Sequence, residues 1–87
     1  MSDVLDEVVA EISAAPHSAA SLTLYALVST MEFEQAGYLF KLGKLRDLSA
    51  PQRQLAYRLM ELMVQGANRG ERWTHAKQQM DGLVRNG

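Results

Sequence analysis

An all-α bundle of four to five helices is the fold class this sequence predicts, and three observations predict it. Apolar residues recur at three- and four-residue spacing along most of the chain. No sustained apolar–polar alternation marks a strand. Start and stop signals for helices punctuate the apolar runs. With 87 residues, 47% of them hydrophobic and 22% charged, residues 1–87 read as one ordinary globular domain.

The first helix is expected over 3–13, with Ser2 as N-cap and acids in its first turn, where the helix dipole favours them. Val4, Leu5, Val8, Val9 and Ile12 form its apolar stripe, and Pro16 forces the chain out of helix. The second is expected over 18–29. It carries Leu22, Leu24, Tyr25, Leu27 and Val28 among alanines, apolar nearly all round, as befits a central helix. At Ser29 a new start signal stands: Ser29 with Glu32 has the spacing of a capping box, and Val28 with Phe33 that of a hydrophobic staple. This predicts a third helix over 30–47; one continuous helix over 18–47 is the alternative.

Ser49-Ala50-Pro51-Gln52 supplies an N-cap, a first-turn proline and a capping-box glutamine. A fourth helix over 50–67 follows, stopped by Asn68-Arg69-Gly70. The fifth, over 71–85, places Trp73, Ala76, Met80, Leu83 and Val84 on one narrow stripe, which predicts a buried Trp73.

Charge is divided unevenly. Residues 1–37 hold six acids and no base, while residues 38–87 hold nine bases and four acids, giving −6 and +5. The bases are spread rather than clustered, so the simplest reading sets an acidic first helix against basic later ones, or pairs two chains head to tail. Nucleic acid is the second reading of that basic half. The run from Leu48 to Leu55 resembles the opening helix of helix-turn-helix regulators over that one stretch, a pattern that any serine-capped amphipathic helix shows.

Chemistry finds little to work with. The absence of cysteine excludes disulfides, thiolate metal sites and thiol nucleophiles. Glu71 and His75 share a helix face at i,i+4, yet two ligands do not make a metal site. His17 is a lone loop histidine, and no phosphate-cradling glycine pattern occurs. No catalytic, cofactor-binding or metal residues are therefore assigned, and the chain is not read as an enzyme. Residues 12–31 lack Asp, Glu, Lys and Arg, but eight of the twenty are not apolar, which argues against a membrane span. Asp3, Asp6, Glu7 and Glu11 stand where a signal peptide needs bases, so a cytoplasmic protein is expected.

Two helices have more apolar surface than one core can use. On a wheel of residues 30–47, Met31, Tyr38, Leu42 and Leu45 make a core face, with Leu39 beside them. Phe33, Ala36 and Phe40 fall opposite, within roughly sixty degrees, flanked by Gly37. In the fourth helix, Leu55, Leu59 and Leu62 form one face, and Tyr57, Met60 and Val64 widen the apolar arc to roughly 220 degrees. The candidate interface is therefore Phe33, Ala36, Gly37, Phe40, Tyr57, Met60 and Val64. The expected function is that of a small interaction or regulatory module, a homodimer or bound to a protein partner, without cofactor. A helical DNA-binding regulator is the alternative, and a small-molecule binder or enzyme subunit the third.

Overall fold

A computed structural model describes residues 3–32, 40 and 42–86 of the chain. Four α-helices follow in order: α1 (Val4–Ala14), α2 (Ala19–Glu32), α3 (Ala50–Val64) and α4 (Gly70–Asn86). A six-residue 3₁₀ helix, Leu42–Asp47, lies between α2 and α3. No strand occurs among the described residues. The protein is an all-α bundle.

The helix ends follow local chemistry. Asp3, not Ser2, caps α1: its backbone is extended and its carboxylate accepts the Leu5 N–H at 2.8 Å. At the start of α2 the Ser18 hydroxyl accepts from the Ser21 N–H at 3.0 Å. Ser49 and Gln52 form the expected reciprocal capping box at α3, with Pro51 in the first turn. This helix stops at Val64, three residues early, because Gly66 adopts the left-handed conformation at φ +75°. The Gly66 N–H then reaches the Met63 carbonyl at 2.9 Å and the Ala67 N–H that of Leu62 at 3.0 Å, which closes the helix in a Schellman motif.

The expected restart at Ser29 does not occur. An N-cap needs extended backbone, whereas Ser29 is buried inside α2 and the apolar stripe Leu24, Leu27, Val28, Met31 carries the helix through it to Glu32. Beyond Glu32, the described part of 30–47 is not α-helical: Phe40 is non-helical and Leu42–Asp47 is 3₁₀. At three residues per turn, a wheel drawn at about 3.6 no longer assigns the faces there. Three residues per turn set Leu42, Leu45 and Leu48 on one ridge, which descends from a largely exposed Leu42 to a buried Leu48. Leu42, expected in the core, is 71% exposed.

The core draws on every α-helix: Val4, Leu5, Val8 and Ile12 from α1; Leu24, Leu27, Val28 and Met31 from α2; Leu55, Ala56 and Leu59 from α3; Trp73, Ala76 and Met80 from α4. Leu48 closes it from the 3₁₀ side. Asn68 ties the α3–α4 connection to the end of α2, its side-chain amide donating to the Met31 carbonyl at 2.8 Å.

Candidate interaction surfaces

Part of the charge asymmetry resolves inside the fold. Along α1 and its cap, Asp3 and Asp6 both take Arg72 of α4, Glu7 pairs with Arg58 of α3 at 2.7 Å, and Glu11 accepts from Gln52 at 2.8 Å. The acidic helix does lie against the basic ones. The Arg58 hydrogen bond holds the Glu7 carboxyl below its ordinary range.

A second charged group sits between α2 and α4. Lys77 is only 8% exposed; its ammonium donates to Asp81 at 2.7 Å, lies 3.5 Å from Glu32, and stands 4.8 Å from the centre of the Tyr25 ring. The Tyr25 hydroxyl also donates to Asp81. Burial alone would raise the Asp81 carboxyl, but the bonds from Lys77 and Tyr25 outweigh it and hold it below its usual range. Burial opposes the charge on Lys77 too, and its acidic partners reverse that, raising the ammonium. Burial and the bond to Asp81 raise the Tyr25 phenol. These contacts tie α2 to α4, while Glu32 Oε2, ion-paired with Lys77, is buried without a hydrogen bond among the described residues.

Glu71 and His75 are both exposed, and no group of three or more His, Asp or Glu that could hold a metal ion occurs among the described residues. His17 bonds the Val84 carbonyl at 2.9 Å. No described helix is long and apolar enough to cross a membrane.

The apolar surface lies in two places. On α3, Tyr57, Met60 and Val64 follow one another at i, i+3 and i+7, so they share a face. Tyr57 is 44% and Val64 73% exposed, while Met60 is half-buried against the core. Of the other candidates, Phe33, Ala36 and Gly37 lie outside the described residues. Phe40 is partly buried, packs on the core and belongs to no helix, so the two-stripe helical geometry does not hold at its position.

The other place is α2. Its exposed residues Ala19, Leu22 and Ala26 again stand at i, i+3 and i+7, and none is polar. With Thr23, Phe40, Lys44 and Asp47 they line a groove of about 430 Å³ between α2 and the 3₁₀ helix. A helix face turned to water ordinarily carries charge; this one carries Leu22 at 44% exposure between two alanines. The sequence signal was the uncharged run 12–31, read as a helix buried on most sides; one stripe of it is open. Comparison with known protein families, with curated proteins and with solved structures finds no match.

Proposed function

We propose that this protein is a small association module of the cytoplasm, acting as an adaptor or regulatory domain that binds protein through uncovered apolar helix faces and pairs with itself. One observation carries the reading. Leu22, Leu42, Tyr57 and Val64 remain open to water in a domain that otherwise closes its core around Trp73, Met80, Leu59 and Ile12. Apolar side chains grouped on a face, rather than scattered singly, mark surfaces that other proteins cover. Nucleic-acid binding draws less support, because Arg58 and Arg72 are engaged by acids of α1 and its cap and Lys77 by Glu32 and Asp81. A polyanion would have to displace those partners.

A photo-crosslinking phenylalanine analogue placed at position 57 or 64, and expressed in the native host, tests the proposal. The expected result is a discrete adduct, with a second copy or with another protein, absent when the analogue replaces the exposed Gln54. Indistinguishable labelling at 54, 57 and 64 overturns it.

A further inference from the structure

We infer that the groove between α2 and the 3₁₀ helix seats a second copy of this chain, each Leu42 entering the groove of the other about a two-fold axis. The inference rests on the association reading above and assigns the partner at a surface distinct from the α3 stripe. Three features of the patch make it complementary to itself. First, it carries both halves of a contact. The groove offers about 430 Å³ beside Ala19, Leu22 and Ala26, enough for a leucine side chain with room to repack. Leu42 stands on the very helix that forms the other wall, on the ridge next to Lys44 and Asp47, and is 71% exposed. In a two-fold contact, a projection and a recess on one patch are both used, twice.

Second, the rim is balanced. Lys44 and Asp47 stand on the groove wall as one cation and one anion, 3.9 Å apart and both well exposed. A two-fold axis reverses their order in the second copy, so each cation meets an anion; a partner of one charge sign would gain from one and be repelled by the other. Third, the floor is uncharged and small. Ala19 and Ala26 let a second helix come close, and a net charge of −1 leaves little repulsion between copies at long range.

Sedimentation equilibrium of the intact chain from about 1 to about 500 μM tests this directly. The expected result is a monomer–dimer equilibrium that Ala26→Arg and Leu42→Ser each weaken at least about tenfold, and that Val64→Ser leaves unchanged. Ala26 and Leu42 are both exposed, so far-UV circular dichroism should match the parent; were Ala26→Arg to lose helix, Leu42→Ser decides alone. A chain that stays monomeric throughout overturns the inference, as does a dimer indifferent to both groove variants. A dimer broken by Val64→Ser alone also overturns it, while leaving the association reading standing on α3. A discrete heterologous adduct from position 57 with a monomeric chain separates the two claims in the same way.

Discussion

Lys77 occupies a position where a lone lysine would be costly. With 8% exposure it has little water, so its charge depends on Asp81 and Glu32. Lys77→Met keeps the stem's packing but leaves two carboxylates facing one another; a loss of about 1–3 kcal/mol in urea unfolding is expected. The pH dependence follows from the same groups. Asp81 and Glu7 are depressed in the folded protein, so their stabilisation is present above the ordinary carboxylate range and is lost as pH falls through their folded values, below about pH 4. Lys77 and Tyr25 are raised, so theirs is present at neutral pH and fades as pH climbs past about 10. Melting temperature should therefore hold level near neutrality and fall on both sides, and Asp81→Asn should flatten the acid limb. Trp73 belongs to the same scale. It is buried, and its indole N–H finds no acceptor among the described residues. Trp73→Ala removes the anchor of α4 and should cost about 3–5 kcal/mol, much of the stability of a domain this small.

At the scale of the element, two glycines with equal space around them should respond in opposite directions. A methyl at Gly66 or at Gly82 meets nothing within 4 Å, so only the backbone decides. Gly66 ends α3 at φ +75°, where a Cβ is strained, and Gly66→Ala should cost about 1–2 kcal/mol. Gly82 lies inside α4, and Gly82→Ala should add about 0.8–1 kcal/mol of stability. Chemical denaturation of the two variants checks both signs at once. These ends also show why some helices were legible before the structure. Ser49, Pro51 and Gln52 act through short-range geometry, which a sequence displays. Ser29 and Glu32 have the same spacing, but whether Ser29 caps or lies inside a helix depends on Met31 finding the core, a long-range fact. The early stop of α3 was written in Gly66, and the later Gly70 competed for the same role.

For the molecule as a whole, opposite charge on opposite halves of the chain suggested an acidic first helix against basic later ones, and that helix and its cap do meet Arg58 of α3 and Arg72 of α4. The open surfaces were only half legible. Tyr57, Met60 and Val64 emerged because α3 is a regular helix, and a wheel describes a regular helix well. Leu42 was assigned inward by an α-helical wheel, but it opens a 3₁₀ segment at 71% exposure, and only Leu45, one turn on, packs against the core. Composition hid the α2 stripe, since Ala19, Leu22 and Ala26 look like core until their exposure is known. The central claim is that these apolar faces serve association, first of all with a second copy. Melting temperature as a function of protein concentration is its most direct test, because a folded state that associates is stabilised by mass action. Above the dissociation constant, each tenfold rise in concentration should raise the melting temperature by about 3–5 °C; a midpoint that stays constant from micromolar to millimolar protein would contradict the account.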